Sequence, residues 1–218
     1  MLLRAYASGI FPMAERADAT EVFWVEPRRR GVLPLDGFHL PRSLAKTLKQ
    51  QNFRFTVDHA FAAVLAACAQ PAPGRSETWI NPLIAEAYLA LHARGDAHSV
   101  EAWTPEGALA GGLYGVRLGA AFFGESMFTQ VRDASKCCLA ALVARLQLGG
   151  FRLLDTQFLT GHLAGFGATE ISARDYRAQL AVAVSGSADF FAGDEAGAGT
   201  RGFGPSGKRI VQLLSQTS

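Results

Sequence analysis

Between residues 97 and 158 the apolar residues change from a helical repeat to alternation, and nothing else in the chain restricts its fold as strongly. Three strand-like runs, His98–Trp103, Ala108–Tyr114 and Ala120–Phe123, are joined by Thr104-Pro105-Glu106-Gly107 and Arg117-Leu118-Gly119. Short alternating runs divided by Gly- and Pro-bearing turns predict an antiparallel meander. A helix is expected from about Asp133 to Leu148, closed by Gly149-Gly150, followed by a strand at Phe151–Phe158. Three antiparallel strands, a helix and another strand argue for an α+β domain with a mixed sheet.

The flanks read more simply. Helices are expected from Pro41 to about Gln51, from Asp58 to Ala69, and from Asn81-Pro82 to His92. Asp58 and Asn81 stand as caps, and Phe61, Val64, Leu65 and Cys68 form a buried stripe. Gln70-Pro71-Ala72-Pro73-Gly74 reads as a loop, and a short helix is expected around His162. Residues 1–30 carry Tyr6, Ile10, Phe11, Phe23 and Trp24, too few for a core, so they are expected to form a small N-terminal lobe on a domain of residues 31–218. From about 185 the sequence turns Gly/Ala/Ser-rich and reads as a loose tail, ending in the apolar Ile210–Leu214.

Composition excludes several classes. Of 218 residues, 49% are apolar and 18% charged, enough for a core and too little charge for a disordered chain. No apolar run approaches the ~18–20 residues of a membrane span, and none near the start resembles a signal peptide. Cys68, Cys137 and Cys138 have no ligand spacing and read as small core residues, so a reduced, cytoplasmic setting is expected. The five histidines show no helical pairing that would favour a metal site, and neither a Walker loop nor G-x-G-x-x-G is present. Net charge is +2, but Arg28 to Arg54 holds seven basic residues against the single acidic Asp36. Arg42, Lys46 and Lys49 share one helical face, which suits either phosphates or solvent. Trp24, Trp79 and Trp103 are candidate stacking surfaces for a base, or core anchors.

Chemistry centres on Leu153-Leu154-Asp155-Thr156-Gln157. On a strand Asp155 and Gln157 share a face, where a carboxylate and a primary amide could serve acyl transfer: the acid orients the amide or holds an amine, and the amide stabilises an oxyanion. Spacing alone equally allows, and more commonly means, that both cap the helix beginning at Thr160. Glu125 is expected at the end of an apolar strand, lining a pocket or satisfying a turn. Gly111-Gly112 inside a strand implies a bulge or a close approach by a ligand or backbone. Leu142 and Leu146, one turn apart, suit a core or a pocket wall.

Taken together the motifs resemble the leucyl/phenylalanyl-tRNA–protein transferase family. They are Tyr6-x-x-Gly9-Ile10-Phe11-Pro12, Arg42-Ser43-Leu44, Thr78-Trp79-Ile80, Ala97-His98-Ser99-Val100-Glu101-x-Trp103, Gly111-Gly112-Leu113-Tyr114-Gly115, Gly124-Glu125-Ser126-Met127-Phe128, Ala134-Ser135-Lys136, Asp155-x-Gln157 and Gly167-Ala168. They run in the family's order from residue 6 to about 176.

The resemblance implies a GNAT-like (acyl-CoA N-acyltransferase-like) mixed sheet with flanking helices. It implies transfer of Leu or Phe from aminoacyl-tRNA to the N-terminal Arg or Lys of acceptor proteins, marking them for N-end-rule degradation, without metal or other cofactor. It makes Asp155 and Gln157 catalytic, and Leu113, Glu125, Leu142 and Leu146 the side-chain pocket. It assigns Arg42, Lys46, Lys49 and Trp79 to tRNA. Met13 stands where the family usually has Trp, and the family's usual Gly-Gly-Asp stretch before Leu2 is missing, so a truncated or late start is expected. The alternatives are an acyl-CoA-dependent N-acyltransferase, whose pyrophosphate loop would need more glycines than Gly124–Lys136 offers, and a non-catalytic RNA-binding module.

Overall fold

The expected meander is the centre of the molecule. A computed structural model describes residues 1–71, 77–192, 194 and 205–216. In chain order its elements are α1 (Leu2–Ala7), β1 (Phe11–Met13), β2 (Phe23–Val25), β3 (Arg29–Val32), α2 (Arg42–Lys49), β4 (Arg54–Val57), α3 (Phe61–Cys68) and α4 (Pro82–Ala93). There follow β5 (Ala97–Trp103), β6 (Leu109–Leu118), β7 (Ala121–Thr129), α5 (Ala134–Leu148), β8 (Leu153–Gln157), α6 (Gly161–Ala164), β9 (Thr169–Ser172), α7 (Ala173–Ser185) and α8 (Gly207–Leu214). Residues 72–74 of the expected loop, and residues 193 and 195–204 of the expected loose tail, lie outside the described residues.

Seven strands form one sheet in the order β4-β5-β6-β7-β8-β3-β9, while β1 and β2 make a separate hairpin. All pairs are antiparallel except β7 with β8, whose connection through α5 is the crossover a parallel pair requires. Both faces are covered, so successive side chains serve different cores. Phe122 packs with α2, α5 and α8, whereas Phe123 packs with α1, α3, α4 and α7. Each is fully buried. Two-sided burial explains the unbroken apolar runs Ala120–Phe123 and Leu153-Leu154.

Some expectations need correction. Arg29–Val32, where the N-terminal lobe was expected to end, is a strand of the main sheet that pairs β8 on one side and β9 on the other. Asp58 does not cap α3: that helix begins at Phe61, and the Asp58 carboxylate instead accepts from His98 Nδ1 (2.7 Å) and the Ser99 N–H (2.8 Å). Asn81 caps α4 as expected, accepting from the Ile84 N–H at 2.9 Å. The close approach at Gly111 is made by α5. A Cβ there would lie 2.8 Å from that of Ala134, so glycine lets the helix start sit directly on β6.

Candidate active site

The site exists because two strands part company. β7 and β8 pair only over Ala121–Phe123 and Leu153–Asp155, after which β7 continues alone beside β6. At the point of divergence Gly124 pairs with Gly115 and Ser126 with Tyr114, leaving Glu125 as the extra residue of a β-bulge. The gap between the strands is a cavity of about 350 Å³. Leu113, Met127, Leu139, Leu142 and Leu154 give it apolar walls, Phe11, Pro12, Met13 and Trp79 close one side, and Glu125 and Gln157 supply polar groups.

Gln157 is gripped at both ends. Its backbone is left-handed (φ 56°), a conformation that an L side chain adopts reluctantly. Its backbone N–H donates to Asp155 Oδ1 at 2.8 Å, and its side-chain Nε2 donates to Glu125 Oε1 at 3.1 Å. Thr160, not Asp155 or Gln157, caps α6 by accepting from the Leu163 N–H.

Asp155 is wholly buried beneath the cavity and does not line it. Its oxygens also accept from Arg30 Nε (2.9 Å), Arg30 NH2 (2.6 Å) and the Tyr176 hydroxyl (2.6 Å). Arg30 is 1% exposed, lies between the rings of Phe11 and Tyr176, and donates through NH1 to the Gly9 carbonyl. The role foreseen for Asp155 in holding an incoming amine is therefore corrected. The carboxylate has neither access to the cavity nor a free cation-binding edge, and acts on Gln157 through its backbone.

Glu125 has a different shell. It accepts from the Tyr6 and Tyr88 hydroxyls, each at 2.7 Å, and those hydroxyls lie 2.7 Å from one another. A proton count follows. With Glu125 ionised, two phenolic protons serve three short oxygen contacts; a carboxyl proton supplies the third. Burial, the largest cause, drives the Glu125 pKa from 4.5 up to about 7, against the lowering effect of the tyrosine hydrogen bonds. The same burial, with Glu125 nearby, raises both phenols.

The remaining expected positions divide. Leu113, Leu142 and Trp79 line the cavity with Glu125 and Gln157. Leu146 does not: it is fully buried in the core, and Leu139, one turn before Leu142, faces the cavity instead. Arg42, Lys46 and Lys49 are exposed on the outer face of α2, while Leu44 and Leu48 are buried. Trp103 donates to Thr56 Oγ1 at 2.6 Å, and Trp24 is 44% exposed on the hairpin; neither lines the cavity. All three cysteines are buried, with the Cys137 thiol pushed up to about 12 by burial. No group of three metal-ligating side chains exists among the described residues, and no described helix is long and apolar enough to cross a membrane.

Sequence reasoning missed Arg30, Tyr88 and Tyr176 as site components, and took Tyr6 only as part of a motif. A run of three arginines reads as surface, and tyrosines within helical stripes read as core.

The proteins to which this chain is similar fall in one class, the aminoacyltransferases. One family model, described as leucyl/phenylalanyl-tRNA protein transferase, matches residues 32–181, and another, for the N-terminal domain of the same proteins, matches residues 1–28. The leucyl/phenylalanyl-tRNA–protein transferase of Nitrobacter winogradskyi is 62% identical over 87% of this chain and 84% of its own. Those of Rhizorhabdus wittichii and Phenylobacterium zucineum are 54% and 52% identical over 100% of this chain and 97% and 96% of theirs. The solved structure of L-PGS from Bacillus licheniformis overlays with a TM-score of 0.46 at 9% identity, over 84% of this chain and 69% of that one, a likeness too slight to argue from. The chain belongs to the leucyl/phenylalanyl-tRNA–protein transferase family.

Proposed function

We propose that this protein moves Leu or Phe from its tRNA to the α-amine of an acceptor protein beginning with Arg or Lys, in the cytoplasm, and so marks that protein for N-end-rule degradation. The observation that carries the reading is the Gln157 amide, held on both sides at the edge of an apolar cavity. The parallel crossover from β7 through α5 to β8, with strands that separate after three pairs, supports a GNAT-like reading of the fold. Leu113, Leu139, Leu142 and Met127 would receive the amino-acid side chain. Trp79 would meet the terminal adenosine, and Arg42, Lys46 and Lys49 the acceptor stem.

In this reading the α-amine forms a bond to the ester carbonyl, the carbonyl–oxygen bond breaks, and the ribose oxygen leaves with a proton. The ester is already activated, so neither ATP, metal nor coenzyme A is required. Gln157 donates toward the developing oxyanion, and Asp155 is a positioning residue that fixes its backbone. The proton-deficient ring of Glu125, Tyr6 and Tyr88, one hydrogen bond from Gln157, takes up the amine's proton and returns it to the ribose oxygen. An apolar socket distinguishes Leu or Phe from smaller side chains only modestly, by ~1–3 kcal/mol per missing methylene.

The test is transfer of labelled Leu from Leu-tRNA to an Arg-starting peptide. The wild type yields a Leu-Arg N-terminus, and Gln157→Ala lowers kcat by on the order of 10²–10³ while tRNA binding persists. Undiminished turnover by Gln157→Ala removes the mechanism; absence of any transfer by the wild type removes the function.

A further inference from the structure

The cavity and the basic helix are separate features, and a single nucleic-acid end engaging both has to cross the surface between them. That surface is a groove of about 200 Å³, lined by Pro41 and Ser43 at the start of α2, Asp133 and Lys136 at the start of α5, and His162 and Gly165 around α6. His162 lines this groove and the cavity alike, so the two share a wall. Pro41 and Ser43 flank Arg42 in sequence, so the far end of the groove lies at the start of the basic helix.

The charge in the groove is anion-seeking. The Lys136 Nζ donates to Asp133 Oδ1 at 2.9 Å, which occupies one of its three N–H groups and leaves two. Its side chain is 42% exposed. Arg132 Nε lies 3.7 Å from the same aspartate, and the arginine side chain is 94% exposed. The single negative charge of Asp133 is therefore faced by two cations, of which Lys136 also lines the groove. Lys136 is also close enough to His162 to push that imidazole's pKa down, after desolvation, which has the larger effect. Lys136 belongs to a motif, Ala134-Ser135-Lys136, that the transfer chemistry leaves without a task.

We infer that this groove binds a phosphodiester of the single-stranded 3′ end of tRNA, with Lys136 as its principal cation, so that the strand runs from the cavity past His162 to Arg42. The inference rests on the transfer reading above, and it commits to the tRNA strand over the acceptor peptide. A backbone carrying one negative charge per nucleotide matches a lysine with two unspent N–H groups, in a groove that leads from the cavity to the start of α2. An acceptor that begins with Arg or Lys does not.

The experiment compares two donors, full Leu-tRNA and 3′-leucyl-adenosine, which has no phosphodiester. Lys136→Ala raises KM for Leu-tRNA by on the order of tenfold more than KM for leucyl-adenosine, as loss of one charged contact predicts. The salt dependence of tRNA binding weakens by about 0.7 in log–log slope, the value for one phosphate of a single strand. Lys136→Arg restores most of both. Equal losses on the two donors mean that Lys136 is structural and overturn the proposal. A loss expressed only in the KM of the acceptor peptide assigns the groove to the acceptor and overturns it as well. Absence of transfer by the wild type with either donor sinks the transfer reading instead, and filter binding of tRNA to Lys136→Ala still decides the groove.

Discussion

Asp155 grips the backbone N–H of Gln157 and Glu125 grips its side-chain amide, yet the two carboxylates are housed in opposite ways. Asp155 has a guanidinium bonded to it, a phenol and an N–H, with no solvent. Glu125 has two phenols and an amide, and no cation in contact. A buried charge with a bonded opposite charge is a fixed element of the structure. Without one, the group prefers to gain a proton. One end of Gln157 is thus anchored, and the other sits beside a group that can change protonation near neutral pH.

The largest effect should come from breaking the anchored end. Arg30→Met leaves Asp155 buried and uncompensated and should cost about 3–5 kcal/mol in urea unfolding, and adding Asp155→Asn should recover much of that loss. A cost below about 1 kcal/mol for the single variant would mean that the pair is not the anchor described. The protonatable end predicts a pH signature of defined sign. Because the folded pKa of Glu125 is raised from 4.5 to about 7, the native state binds more protons than the unfolded chain between those values. The Glu125 contribution is therefore most favourable below pH 4.5, declines as pH rises, and is fully lost above about 7. Glu125→Gln should flatten this decline by on the order of 1–3 kcal/mol, one pKa unit being worth about 1.4 kcal/mol. Unfolding titrations in which the variant keeps the wild-type slope would assign it to another group. Smallest is Tyr88→Phe, which removes a hydrogen bond that lowers the Glu125 pKa. The carboxyl midpoint, followed by infrared titration, should rise by roughly 0.5–1 unit, with about 1 kcal/mol of stability lost. A midpoint that falls would invert the assignment of the ring.

The contrast also marks what the sequence disclosed. Alternation and turn residues displayed β5, β6 and β7, and the Asn81-Pro82 cap displayed α4, because those signals are local. β3 and β9 are four residues each, and their pairing joins segments about 140 positions apart, so no local period announces them. Glu125 and Gln157 could be singled out as polar residues at strand ends. The bulge that turns Glu125 toward Tyr6 and Tyr88 depends on strand register, which composition does not carry. Arg30 was hidden by its neighbours, since Arg29 is exposed and its charge resembles that of the buried residue beside it. Leu146 misled because its spacing from Leu142 is right for a helical face, while the cavity is lined by the turn before Leu142 and not the turn after it.

The residues around Gln157 come from the first helix, the sheet's late-joining strand, the middle of the chain and α7. No contiguous half of the polypeptide contains both Arg30 and its carboxylate partner. During synthesis the Asp155 side chain therefore acquires its full shell only after Tyr176 has been made, and its ion pair with Arg30 has to close a loop of 125 positions. A chain that stopped before residue 155 would leave the Arg30 guanidinium without the carboxylate it is buried against.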